Sequence, residues 1–152
     1  MELMIKPFDK LSIHELYALL QLRSEVFVVE QTCLYNDLDD LDQQAWHLIL
    51  TKDNRVAGTA RILPGGTRFP QVSIGRVVVS PHFRRQNLGK LVMQEAMNFA
   101  FSHFAAREIK ISAQLYLEKF YADLGFNRIT EVYDEDGIPH IGMLAKNAVP
   151  MG

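Results

Sequence analysis

Gly75-Arg-Val-Val-Val-Ser-Pro-His-Phe-Arg-Arg-Gln-Asn-Leu-Gly-Lys90 decides how the rest of the chain is read. Its β-branched run, Val77 to Val79, meets Pro81, which cannot extend a ladder, and a short basic turn then opens into an amphipathic pattern. Strand, loop and helix start follow in immediate succession. A helix start leaves backbone N–H groups without intrahelical partners and carries the positive end of the helix dipole, so a basic loop placed there invites an anion, above all a phosphate.

Working outward, Val72 to Val79 is strongly β-branched and reads as a central strand covered on both faces, with Gly75 marking a bulge or a close backbone approach. Upstream, Trp46 to Thr51 and Val56 to Leu63 flank Lys52-Asp53-Asn54-Arg55, the composition of an antiparallel hairpin, and a second turn follows at Pro64-Gly65-Gly66. Ser12 with Glu15 forms a capping-box pattern, and apolar residues at helical spacing predict a helix from Ser12 toward Val28. Leu3 to Lys6 predicts an edge strand ending at Pro7. Downstream, Leu88, Leu91, Val92, Ala96 and Phe99 predict a helix from Leu88 to Phe104. A strand over Glu108 to Ala113, a short helix over Tyr116 to Leu124 closed by Gly125, and strands over Phe126 to Val132 and Ile138 to Ala145 complete the order. This α/β alternation predicts one domain over residues 1–152, a twisted mixed sheet of about seven strands with helices on both faces.

Composition narrows the classes. The chain has 152 residues, 48% hydrophobic and 22% charged, with a formal charge of −2, so no net field draws it to nucleic acid. Cys33 is the one cysteine, which excludes an intramolecular disulfide and a cysteine-based zinc site and fits a reducing compartment; cytoplasm is the expected location. The N-terminal residues lack the pattern of a signal peptide and no apolar run approaches the ~20 residues of a membrane span, so no membrane partner is expected. Exposed strand edges leave a homodimer open.

The central loop is not a nucleotide P-loop. Gly89-Lys90 is followed by Leu91 rather than a hydroxyl residue, and Arg84 stands where the first glycine belongs. The dinucleotide fingerprint fails as well, with one of its three glycines present. The acidic run Asn36-Asp-Leu-Asp-Asp-Leu-Asp42 does not make a calcium loop, because Leu41 and Asp42 stand where an oxygen ligand and a glycine are required, and no metal site is expected. Such a run is usually a solvated surface, although beside an active site it could attract a cationic amine.

Val79-Ser-Pro81 followed by Arg84-Arg-Gln-Asn-Leu-Gly89 resembles the acetyl-CoA motif of the GNAT superfamily of N-acetyltransferases, in which a strand ending in Val-x-Pro precedes Arg/Gln-x-x-Gly-x-Gly/Ala. Asn87 replaces the first glycine, a residue that also tolerates left-handed backbone. Leu117 to Phe126 is similar to the family's helix ending in Phe-Tyr-x-x-x-Gly-Phe, and Leu22 to Gln31, Ile74 to Val79 and Glu135 to Met143 resemble its ElaA-like branch.

The resemblance implies acetyl-CoA as donor and an amine of a small molecule, peptide or protein as acceptor. It places the pyrophosphate on Arg84, Arg85, Gln86, Asn87, Leu88, Gly89 and Lys90, and the pantetheine along Val77, Val78 and Val79, provided the strand near Ser112 to Gln114 splays away. Val78 or Val79 N–H would meet the oxyanion, and Tyr121, at the family's tyrosine position, would protonate the sulfur. For the base, Glu30, His140, Asp136 and His47 all sit at ends of elements expected to face the cleft. Arg23, Arg61 and Arg76 could balance carboxylates or, with Gln114 and Asp136, hold the acceptor. Arg23, Phe27 and the acidic loop are also similar to acyl-homoserine-lactone synthases, which implies longer acyl donors as the alternative, and a CoA-binding domain without turnover is the other.

Overall fold

The computed structural model describes residues 1–147. Among these described residues, eight strands form one sheet in the order β1-β2-β3-β4-β5-β8-β6, with β7 pairing β8 beyond that path. They are β1 (Glu2–Pro7), β2 (Trp46–Lys52), β3 (Arg55–Leu63), β4 (Val72–Val79), β5 (Glu108–Gln114), β6 (Asn127–Arg128), β7 (Tyr133–Glu135) and β8 (Ile138–Lys146). Three α-helices accompany them: α1 (Ile13–Arg23), α2 (Leu88–His103) and α3 (Glu118–Ala122). All pairings are antiparallel except β4 with β5.

Local chemistry explains most boundaries. The Ser12 hydroxyl accepts the Glu15 N–H at 3.0 Å while the Glu15 carboxylate accepts the Ser12 N–H at 2.8 Å, which fixes the start of α1. Asp53 and Asn54 both take positive φ, so the β2–β3 hairpin closes in a two-residue turn whose twist suits the strands. Gly58 of β3 faces Val92 of α2, whereas Thr59 and Arg61 face Leu19 and Arg23 of α1, so helices cover both faces of the sheet. Leu48, Ile62, Val92, Met93, Ile109 and Phe126, all buried, lie in the larger core cluster; Leu22, Val26, Phe27 and Val78 form the smaller one.

Two expectations change. The helix predicted from Ser12 toward Val28 leaves α geometry at Ser24 and continues to Glu30 as a π-helix. Its wider turns are seen at the exit, where Gln31 N–H bonds Val26 O at 3.0 Å and Cys33 N–H bonds Val28 O at 3.1 Å. The strand predicted over Phe126 to Val132 pairs only at Asn127 and Arg128. The Thr130 hydroxyl accepts the Gly142 N–H at 2.7 Å, replacing the backbone partner the ladder needs, and pairing resumes as β7, which raises the strand count from about seven to eight.

Candidate active site

β4 and β5 pair only at Val72–Ile109 and Ser73–Lys110, after which the two parallel strands separate. β4 remains paired to β3 as far as Val79, and β5 remains paired to β8 as far as Gln114. The gap is therefore a split in the sheet itself, and it opens into a cleft of about 450 Å³.

A bulge shapes the β4 wall. Thr59 pairs with Val78 and Arg61 with Gly75, so Ala60 alone faces both Arg76 and Val77. Arg76 carries the positive φ of +50°, so the strained residue of the bulge is the arginine next to Gly75. Past the bulge, Ser80 N–H bonds Ala57 O at 2.7 Å. Antiparallel alternation then turns the backbone groups of Val78 toward β3 and those of Val79 and Val77 toward the split. The Val79 carbonyl does point away from β3, since it accepts Arg84 Nε at 3.4 Å.

The β4–α2 connection ends in left-handed residues at Arg85 (φ +66°) and Asn87 (φ +59°), and Asn87 caps α2. Alternating hands of backbone in such a turn gather N–H groups into a concavity suited to an anion. The first backbone hydrogen bond of α2 runs from Leu91 N–H to Asn87 O at 3.3 Å, which leaves the amides of Leu88, Gly89 and Lys90 to other partners. At Gly89 an added Cβ would come no closer than 3.7 Å to Phe120 and Val79, and Gly89 itself lines the cleft. An unpaired strand edge running into a bare helix start fits a chain of amides that ends in a diphosphate.

The other candidates divide. Glu30, Arg76, Val77, Val78, Val79, Arg84, Gly89, Gln114, Tyr121, Asp136 and His140 all line the cleft. Arg23, Arg61 and His47 lie outside it: the two arginines take the carboxylate-balancing alternative instead of holding the acceptor, and His47 does not face the cleft as a candidate base. Arg23 and Arg61 are 1% exposed. Arg23 reaches Asp37 at 2.9 Å and Asp42 at 2.7 Å, and Arg61 reaches Asp39 at 2.7 Å. A buried guanidinium is tolerated only when so paired, and the acidic run supplies the partners instead of facing solvent. Arg76 joins the cluster at Asp37, 2.8 Å away, from the cleft side. His47 is buried with Nε2 2.9 Å from Asp42 O, and burial pushes its pKa down.

Within the cleft, Glu30 and Arg84 form a two-point ion pair at 2.7 and 2.8 Å, and the hydrogen bonds from Arg84 hold the Glu30 carboxyl below its usual range. That makes Glu30 a poorer base than the sequence suggests. Arg85, Asn87, Leu88 and Lys90 do not line the cleft, and Gln86 bonds Lys52 on the outer surface. Tyr121 is buried, and burial, followed by the Tyr116 charge, pushes its pKa up to about 12, so its phenol stays protonated through the neutral range. Gln114 Nε2 donates to Gln31 Oε1 at 3.4 Å across the cleft. Sequence reasoning missed Gln31, Tyr35, Arg68, Ser112, Tyr116 and Glu135 as cleft residues. Three of them carried a signal: Gln31 and Glu135 by their place in the Leu22 to Gln31 and Glu135 to Met143 stretches, and Ser112 by its place in the segment expected to splay away.

The acetyltransferase (GNAT) domain family model matches residues 14–146. Protein ElaA of Escherichia coli K12 is 43% identical over 137 residues, 89% of this chain and 90% of that protein. The crystal structure of Escherichia coli ElaA superposes with a TM-score of 0.89 at 39% identity, covering 95% of this chain and 99% of the other. An acyl-CoA N-acyltransferase from Pseudomonas aeruginosa also gives 0.89, at 41% identity and the same coverages. A GNAT acetyltransferase from Elizabethkingia anophelis solved with acetyl-CoA bound shares the fold, with a TM-score of 0.65 at 14% identity, covering 95% of this chain and 98% of that one.

Proposed function

The chain belongs to the GNAT acetyltransferase family, and on that premise we propose that it moves an acetyl group from acetyl-CoA to a primary amine of a small molecule, peptide or protein. The observation that carries this reading is the split between β4 and β5, which runs directly into the start of α2. Acetyl-CoA supplies an activated thioester; the chain's own residues bind it, orient it and move protons.

Val77 and Val79 offer the unpaired edge of β4 to the pantetheine amides, as an added strand would use it. Arg85 to Lys90 offer backbone N–H groups to the pyrophosphate, and Arg84, Arg85 and Lys90 add charge. As the amine attacks, the N–H of Val77 or Val79 stabilises the oxygen that gains charge, in place of the Val78 N–H turned toward β3. Tyr121, protonated and on the cleft wall, donates to the departing sulfur. Glu30, His140 and Asp136 remain to take the amine proton, with Gln114, Arg76 and Asp136 beside the acceptor.

Mass spectrometry of products from an amine panel, run with acetyl-CoA and in parallel with long-chain acyl donors, tests the reading. Amine-dependent acetylation with thiol release supports it. Turnover only with long-chain donors favours the acyl-homoserine-lactone-synthase-like alternative, and acetyl-CoA binding without any acylated amine favours a binding domain.

A further inference from the structure

Resting on that acetyltransferase reading, we propose that Glu135 and His140 together seat the incoming ammonium group and take its proton, which makes Glu135 a residue of the reaction. The Nδ1 of His140 lies 2.7 Å from the carbonyl of Ile138. A carbonyl oxygen only accepts, so Nδ1 carries the hydrogen, and in the neutral tautomer the lone pair stands at Nε2. That lone pair faces Glu135 Oε2 at 3.4 Å.

In that tautomer Nε2 and Oε2 are two acceptors held face to face, which repel one another unless a donor joins them. An ammonium nitrogen can do so, because ~2.8 Å, an ordinary distance for a charged N–H donor, reaches both from a point beside their axis. Their separation is imposed by the fold. Glu135 Oε1 accepts Arg68 Nη2 at 2.8 Å and Ser112 Oγ at 3.1 Å, and Ser112 Oγ meets the Tyr133 hydroxyl at 2.5 Å. Oε1 is satisfied, while Oε2 stays aimed at the imidazole. The Tyr133 ring stacks on His140 with centroids 6.2 Å apart, which limits rotation of the imidazole. Both His140 and Glu135 line the cleft that contains Tyr121 and the β4 edge.

The step balances. The ammonium gives one proton to Nε2, and the imidazolium formed is held by the Glu135 carboxylate. The freed nitrogen lone pair makes the new C–N bond as the C–S bond breaks, leaving its electron pair on sulfur. The remaining surplus proton on nitrogen replaces the one that Tyr121 gives to sulfur, and His140 later returns its proton to solvent. The charged and titratable groups around the imidazole are Glu135 and Tyr133 on β7, Asp136 in the turn and Arg68 through Glu135. Glu30, Arg76, Arg84, Tyr35, Tyr116 and Tyr121 line the same cleft.

Butylammonium is the probe, with His140 observed by nitrogen NMR in the full chain without donor. Addition of the probe should move the Nε2 signal in the wild type and leave it in place in Glu135→Gln; an unmoved wild-type signal overturns the proposal. In turnover, His140→Asn keeps an amide that can donate to Ile138 and removes only Nε2. It should lower kcat/KM at neutral pH about a hundredfold, with the loss shrinking as rising pH supplies free amine, while acetyl-CoA affinity by calorimetry is unchanged. A rate–pH profile parallel to wild type would overturn the assignment. If the wild type neither binds acetyl-CoA nor acetylates any amine, the acetyltransferase reading fails, and the NMR result still decides whether this pair seats an ammonium.

Discussion

The two walls of the cleft are built differently. The β4–α2 wall offers mainly backbone: an unpaired strand edge, a turn with two left-handed residues and a helix start. The opposite wall is made of side chains brought together from far apart, such as Arg68 with Glu135 across 67 positions and Ser112 with Glu135 across 23. A backbone site asks for particular residues only where dihedrals or space require them, so it is compact in sequence. A side-chain site depends on every partner being delivered by a different segment, so damage to it spreads.

The largest expected effect breaks the buried arginine–aspartate cluster that anchors the acidic loop. Arg23→Ala leaves Asp37 and Asp42 without their buried cation, and should cost about 3–5 kcal/mol in denaturant unfolding. A loss under about 1 kcal/mol would put the loop among ordinary surface ion pairs.

The same cluster gives the acid limb of stability. Burial pushes the Asp39 carboxyl up, but hydrogen bonds and charge from Arg61, with Arg76, outweigh it and bring it from 3.8 to about 2. A carboxylate lowered in the folded state stabilises above its unfolded pKa, and that contribution is lost as pH falls through about 2. Chemical denaturation of Asp39→Asn against wild type over that window should therefore show a flatter acid limb. An unchanged slope would detach Asp39 from the cluster.

On the catalytic chemistry between the walls, Tyr121→Phe should lower turnover about a hundredfold with acetyl-CoA affinity nearly intact. The aromatic ring stays in the core and only the hydroxyl leaves, so unchanged turnover would remove Tyr121 as the acid.

These contrasts explain what was legible. The strand, loop and helix from Val72 to His103 could be read because β-branched run, proline, basic turn and amphipathic stripe are local signals. Asn87 was legible for the same reason, since its tolerance of left-handed backbone is a property of one residue. The π-helix at Ser24–Glu30 was not, because apolar spacing at its level of resolution does not separate α from π geometry. Neither was the pairing of Arg23 and Arg61 with the acidic loop. Charges alone cannot say whether a run of aspartates meets solvent or buried guanidinium groups. Glu135 was marked by family resemblance alone, because as turn chemistry an Asp-Glu-Asp-Gly stretch explains itself without a function.

Gly89→Val tests the backbone wall. Space beside Gly89 admits a Cβ in ordinary contact with Phe120 and Val79, so the fold should survive, while the branched side chain stands over the helix start. Acetyl-CoA affinity by calorimetry should fall about tenfold, or ~1.4 kcal/mol. Wild-type affinity would move the diphosphate site elsewhere.

The smallest effect lies where the walls touch. Arg84 leaves the β4–α2 loop to pair with Glu30 at the end of the π-helix, and its Nε also covers the Val79 carbonyl that a pantetheine amide would use. Both side chains are about two-fifths exposed, 42% for Arg84 and 41% for Glu30, so solvent screens the pair and its worth is at most about 1 kcal/mol. Glu30→Gln removes the charge that holds Arg84 over the strand edge and leaves the arginine free for the diphosphate. Acetyl-CoA should then bind about two- to fivefold tighter, with the gain fading as salt is raised. Weaker binding would mean that Glu30 holds Arg84 in the place where the donor needs it, and the contact would belong to the donor wall.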